Sequence, residues 1–172
     1  MTADVAKAAA ALFVAAILQV TLLSQINVFH GAPDLVLVTL VCVALLRGTI
    51  FGAVAGFGVG LVVDTATLQT LGVTSLLLTI AGYWIGRYGE TTGRDRSHAP
   101  FVSVAVVTLL YSIGALILHY MLGDPVSASR VLLDAFPFEL IFNLILTLPV
   151  YALCRRLFRP PPTGLEEVQL LG

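Results

Sequence analysis

Charged side chains are scarce in this sequence. They make up 11% of its 172 residues, while 58% of the residues are hydrophobic; an ordinary soluble domain has roughly a quarter of its residues charged. A chain of this composition belongs in a lipid bilayer, and its apolar runs leave no room for a separate soluble domain. The sequence therefore predicts one transmembrane domain over residues 1–154 and a cytoplasmic tail over residues 155–172.

Residues that carry enzyme or metal chemistry are also few. Cys42 and Cys154 lie in or beside apolar runs, far apart in sequence, which favours small buried hydrophobes over metal ligands. The three histidines, His30, His98 and His119, fall on different segments. The sequence has no HExxH motif or glycine-flanked nucleophile turn, and no basic and aromatic surface for nucleic acid. We expect a protein that is not an enzyme, has no metal or cofactor and binds no nucleic acid.

Six apolar runs are candidates for membrane-spanning helices. A bilayer core of about 30 Å requires about 20 helical residues. The runs cover residues 5–26, 33–46, 49–63, 71–88, 101–122 and 135–154. Arg47 and Gly48 separate the second run from the third. One continuous helix here would be a rod of about 46 Å with an arginine in its middle, so a hairpin is predicted.

The basic residues provide an independent test of this count. With six spans and a cytoplasmic N-terminus, only Arg130 lies outside, which follows the positive-inside rule. The cytoplasmic basic residues are Lys7, Arg47, Arg87, Arg94, Arg96, Arg155, Arg156 and Arg159. The prediction is an all-α integral membrane protein, a six-helix transmembrane bundle with short loops and both termini in the cytoplasm. The proline-rich tail suits either a flexible end or a short partner-binding segment.

Glycine is concentrated in the third run, within RGTIFGAVAGFGVGLVVD, residues 47–64. Four glycines recur at intervals of four residues: Gly48, Gly52, Gly56 and Gly60. On a helix this spacing makes a shallow groove without side chains, which lets a neighbouring backbone approach closely. The neighbour is either a helix of the same chain or a helix of another protein. Within the chain, the fourth run repeats the spacing with Gly82 and Gly86, and the first run offers a further surface of small residues.

Four polar residues at the boundaries or inside the runs are candidate site residues: Asp34, Asp64, Glu139 and Asn143. Asp34 follows a proline and suits the first turn of a helix. Asp64 ends the glycine run and is either a cap for the following segment or a functional group at the membrane edge. Glu139 and Asn143 share a helix face, where they either bond another helix or contact a partner or ligand.

The order of these features resembles the bacterial rod shape-determining protein MreD family. Residues 32–86 carry most of the resemblance. They contain Pro33 at the start of the second run, GAVAGFGVGLVVD ending at Asp64, and the LG pair at residues 71–72; Asn143 also fits. The resemblance implies a non-enzymatic, multi-pass protein of the bacterial cytoplasmic membrane that acts in cell elongation. It also implies a fold similar to the substrate-binding subunits of energy-coupling-factor transporters.

The resemblance further implies partners. These are the bitopic protein MreC, a RodA-type glycosyltransferase with its penicillin-binding transpeptidase, MreB indirectly, and the lipid bilayer. The role would be a scaffold that binds MreC and helps position the enzymes of peptidoglycan synthesis. The alternative is the solute-binding subunit of an energy-coupling-factor-type transporter, with a cavity near Asp64, Glu139 and Asn143. Against this alternative, the outer loops have few aromatic and polar groups that could close over a small ligand.

Overall fold

A computed structural model describes residues 2–21, 33–68, 70–92, 98–123 and 136–158 of the chain. Over these residues the chain forms six α-helices and no strand. The helices are α1 (Thr2–Thr21), α2 (Leu35–Arg47), α3 (Thr49–Thr67), α4 (Val73–Thr92), α5 (Ala99–Met121) and α6 (Phe136–Leu157). Each predicted run overlaps with one of them over most of its length, so the all-α class and the six helices are confirmed. Residues 22–26 of the first run and most of the predicted tail, 159–172, lie outside the described residues.

The boundary between α2 and α3 lies where the sequence predicts it. Gly48 separates the helices with a φ of +95°, in the left-handed region that glycine adopts without steric penalty. Ala44, one turn before this glycine, lies 2.7 Å from the position that a Cβ atom on Gly52, one turn after it, would occupy. The two helices therefore run in opposite directions as a hairpin.

The end of α3 differs from the prediction. The helix continues beyond residue 63 to Thr67 and stops at Leu68, whose left-handed backbone (φ 54°) cannot continue a right-handed helix. Asp64 is consequently inside α3, one turn before its end. The following helix begins at Val73 and continues to Thr92, slightly later at both ends than the predicted fourth run.

Within the described ranges, three helices are long and apolar enough to cross a membrane: α3, α5 over Ala99–Leu118, and α6. Two further segments, Val5–Thr21 and Leu35–Arg47, are apolar but shorter. The 13 residues of α2 give a length of about 20 Å, against a bilayer core of about 30 Å. Six complete spans therefore stay a prediction.

The short helix α2 lies at the centre of the bundle. Every residue from Val36 to Leu46 is buried, and α2 contacts each of the other five helices. A helix that is apolar on all sides is stable only when apolar surroundings, either protein or lipid, enclose it. Because protein rather than lipid surrounds α2, its length does not have to match the thickness of the bilayer. Cys42 is buried in this helix and Cys154 in α6, and both are free, as expected for small buried hydrophobes.

Candidate functional site

The glycine-lined face of α3 packs directly on the backbone of α4. A Cβ atom added to Gly52 would overlap the carbonyl oxygen of Gly82, and one added to Gly82 would overlap that of Gly52. At Gly56 the obstacle is the carbonyl group of Leu78, and at Gly60 it is the backbone of Ser75. Because these obstacles are backbone atoms, a side chain at any of these positions would force the two helices apart.

The same contact continues where α4 passes the α2–α3 junction. A Cβ atom on Gly86 would overlap the backbone of Gly48, and one on Gly48 would meet the carboxylate of Glu90. Gly89, which the sequence analysis did not single out, lies against the carbonyl oxygen of Leu45. All six glycines selected from the sequence thus lie against other parts of the same chain. This surface is occupied by α4 and is not open to a partner helix.

Asp64 caps the N-terminus of α4. Its carboxylate oxygens accept hydrogen bonds from the backbone N–H groups of Gly72 (2.8 Å), Thr74 (3.2 Å) and Ser75 (3.3 Å), and only 1% of the residue is exposed. The first N–H groups of a helix have no partner within the helix, and the positive end of the helix dipole favours an anion there. Asp64 therefore lies in α3 and caps the next helix, α4, rather than the helix to which it belongs.

A second carboxylate makes the reciprocal contact at the other end of the helix pair. Glu90, near the end of α4, accepts hydrogen bonds from the backbone N–H (2.8 Å) and the hydroxyl (2.7 Å) of Thr49, the first residue of α3. Each helix of the antiparallel pair thus provides the carboxylate that caps the other. Glu90 is not among the residues selected from the sequence, because it lies beside a polar loop.

A sequence signal for Glu90 does exist. The spacing of Gly56, Gly60 and Asp64 in α3 recurs 26 residues later. The second copy consists of Gly82, Gly86 and Glu90. The contacts of the two copies correspond as well, since Asp64 bonds the N–H of Ser75 and Glu90 bonds the N–H of Thr49, 26 residues earlier. The pair α3–α4 is therefore a short internal repeat with approximate twofold symmetry.

Asn143 connects three helices at the end of the bundle where α2 begins. Fully buried in α6, it accepts a hydrogen bond from the backbone N–H of Asp34 (2.8 Å) and donates one to the hydroxyl of Thr108 in α5 (3.1 Å). Asp34 in turn accepts a hydrogen bond from the N–H of Leu37 (2.8 Å) and caps α2. Buried polar contacts of this kind hold transmembrane helices together.

Glu139 lies one turn before Asn143 and is half-buried. Its carboxylate accepts a hydrogen bond from Ser112 of α5 at 3.3 Å. Asn143 bonds Asp34, and the α2–α3 hairpin brings the end of α3 beside the start of α2, so the four polar residues selected from the sequence lie at one end of the bundle. Within the described part of the chain, no group of three or more His, Cys, Asp or Glu residues could hold a metal ion.

An open groove lies between α1 and α3, on the side of α3 opposite to the packed glycines. Its volume is about 1020 Å³. Its floor includes small residues, Ala9 and Ala55 among them, and Gly58 has no atom within 4 Å of the position of a Cβ. Large apolar side chains border it and are strongly exposed, with Ile50 at 81%. Gly58 is not among the glycines selected from the sequence, because it lies outside the four-residue spacing.

These features define an all-helical membrane protein whose polar groups serve the packing of its own helices. The family model of rod shape-determining protein MreD matches residues 7–157, which include parts of all six helices, and the chain belongs to this family. The resemblance seen in the sequence is thus confirmed, and with it a bacterial membrane protein with a role in rod shape determination. No curated protein and no solved structure matches the chain.

Proposed function

We propose that this chain is a non-enzymatic scaffold subunit of the cell-elongation complex in the bacterial cytoplasmic membrane. It binds MreC and helps position the RodA-type glycosyltransferase and its penicillin-binding transpeptidase, with MreB reached indirectly. The observation that carries this proposal is the family match over residues 7–157. Six spans, cytoplasmic termini, a fold similar to energy-coupling-factor substrate-binding subunits, and a tail beginning at residue 155 are parts of the same proposal.

The groove between α1 and α3 is the surface proposed for MreC. The resemblance implies that MreC brings a single membrane helix, and a helix is about 10 Å across. In lipid, small residues allow two helices to approach closely, and dispersion contacts then hold them together. The packed face of α3 is already covered by α4, whereas Gly58 and its surroundings are open.

Gly58→Leu tests this proposal, because the added side chain would extend from a position where a Cβ atom has open space and would occupy part of the groove. We expect about tenfold less MreC to co-purify with the variant in mild detergent, which corresponds to about 1.4 kcal/mol. Cells that depend on the variant should lose their rod shape. Ala152→Leu, at an exposed position on α6, is the matched control and should retain MreC.

The result that contradicts the proposed surface is normal recovery of MreC with Gly58→Leu. If the entire chain fails to co-purify with MreC even without substitutions, the scaffold proposal itself is wrong. Equal expression and melting temperature of both variants must accompany the comparison, so that reduced recovery reports binding rather than misfolding.

The solute-binding alternative depends on polar groups that the chain already uses internally. Asp64 and Asn143 are buried and bonded to other helices, which favours the scaffold over a solute site at these residues. Mass spectrometry of the purified chain distinguishes the two functions. Stoichiometric recovery of a vitamin-sized solute would support the transporter subunit and contradict the scaffold.

A further inference from the structure

A separate cleft lies between α4 and α5. Its volume is about 270 Å³, and its lining is almost entirely apolar. One end is closed where Leu77 of α4 lies against Gly114 of α5. The Cδ2 atom of Leu77 is 2.6 Å from the position that a Cβ atom on Gly114 would occupy. The sides of the opening are formed by exposed apolar side chains, including Trp84 at 62% and Leu110 at 57%. The cleft therefore opens on the lipid-facing side of the bundle.

Ser103 of α5 lines this cleft and has an unsatisfied hydroxyl. The residue is 3% exposed, and its Oγ is the one buried side-chain nitrogen or oxygen without a hydrogen-bond partner in the part of the chain that the structure describes. Nearby buried hydroxyls in the same helix are bonded, since Thr108 accepts from Asn143 and Ser112 donates to Glu139. A buried polar group without a partner is unfavourable, so this hydroxyl points to a ligand with a hydrogen-bonding oxygen.

We propose that the cleft binds one acyl chain of a diacyl phospholipid, with the Ser103 hydroxyl donating a hydrogen bond to the ester carbonyl. The depth of Ser103 fits this geometry. It lies four residues from the start of α5, about 6 Å along the helix, and the 23 residues of α5 slightly exceed the bilayer core. Ser103 is therefore close to the boundary between hydrocarbon and headgroups, where the ester groups of lipids lie.

The size of the cleft favours an acyl chain over a protein helix. Its 270 Å³ is below the roughly 300–1,000 Å³ of pockets for small molecules, and an α-helix with its side chains is about 10 Å across. From Ser103 to Leu110 the cleft follows α5 for about 10 Å, a shape suited to an extended chain. An acyl chain also matches the lining. The chain itself is apolar, and its one polar group, the ester, would lie within reach of Ser103.

Native mass spectrometry of the full chain tests the proposal, with a palmitoyl-oleoyl phosphatidylglycerol as the probe. No MreC is present, so the outcome is independent of the proposed scaffold function. We expect one lipid to remain bound after the detergent is removed. Ala81→Leu, which narrows the cleft, should reduce the retained fraction about tenfold, whereas the matched control Ala152→Leu on α6 should not change it.

Ser103→Ala separates lipid binding from folding. Removing an unpaired buried hydroxyl leaves the lipid-free protein equally or more stable. The same change should lower lipid retention about two- to tenfold, as expected for the loss of one hydrogen bond, and Ser103→Thr should restore it. Trp84, the single tryptophan of the chain, provides a second readout, because a phospholipid with brominated acyl chains in the cleft quenches its fluorescence.

Three results would overturn the proposal. One is equal lipid retention and equal quenching in wild type and Ala81→Leu. Another is retention in Ser103→Ala at the wild-type level, which would leave the hydroxyl without a role. The third is a dimer that Ala81→Leu disrupts, which would show that a second copy of the chain occupies the cleft.

Discussion

Gly56 and Gly58 lie two residues apart in α3 but have opposite surroundings. Gly56 is pressed against the backbone of α4, and Gly58 faces open space. The two glycines lie on different faces of α3, because successive residues of a helix point about 100° apart, whereas residues i and i+4 share a face. The spacing alone, however, does not identify what covers that face.

Alanine at these two positions should have opposite effects. Gly56→Ala places a methyl group on a carbonyl of α4 and should lower the free energy of unfolding by about 1–3 kcal/mol, as overpacking does. Gly58→Ala should raise it by up to about 1 kcal/mol through higher helix propensity. Unfolding in sodium dodecyl sulfate, followed by circular dichroism, measures both. Identical unfolding curves for the two variants would show that α3 and α4 do not pack as described.

At the scale of helices, α3 and α4 stabilise each other as a reciprocal pair. Their glycines allow backbone contact, and a carboxylate from each caps the start of the other. The two caps differ in exposure: Asp64 is buried, whereas Glu90 is exposed. Water can replace an exposed cap but cannot reach a buried one, so the two should contribute unequally.

Removing the caps should therefore give graded losses of stability. Asp64→Ala leaves the backbone N–H groups of Gly72, Thr74 and Ser75 without their acceptor and should cost about 2 kcal/mol or more. Glu90→Ala should cost about 1 kcal/mol, and Asp64→Asn should lie between wild type and Asp64→Ala, because an amide oxygen still accepts.

The same unfolding assay measures these variants, with Thr65→Ala, at an exposed position next to Asp64, as the control. A Glu90→Ala variant less stable than Asp64→Ala would contradict the ranking by burial. An Asp64→Ala variant as stable as wild type would contradict the capping role itself.

At the scale of the whole molecule, the distribution of basic residues predicts the orientation in the membrane. Arg155 and Arg156 lie at the end of α6, where the positive-inside rule predicts cytoplasm. A green fluorescent protein fused after residue 158 should therefore fluoresce, and alkaline phosphatase fused there should be inactive. A phosphatase fusion after Gly123, beyond α5, should be active, because five of the six predicted spans precede it. Phosphatase activity after residue 158 and none after Gly123 would show that the orientation is the opposite of the predicted one.

Local physical chemistry made much of this molecule predictable from its sequence. Apolar side chains are favourable in lipid, so the long apolar runs indicate the helices. An arginine inside a long apolar helix is unfavourable, so the break between α2 and α3 is expected at Arg47 and Gly48. The glycine spacing indicates a close backbone contact, since it depends only on helix geometry. The family resemblance drew on the same features.

The identities of the contacts depend on how the helices pack. That α4 covers the glycines, that Asp64 caps α4 across the helix pair, and that α2 is enclosed by five helices all involve residues far apart in sequence. The orphan hydroxyl of Ser103 is visible only once α4 and α5 are placed side by side. The physical reason is that a spacing of residues specifies a surface of one helix, whereas the partner of that surface is determined by the register and fit of the whole bundle.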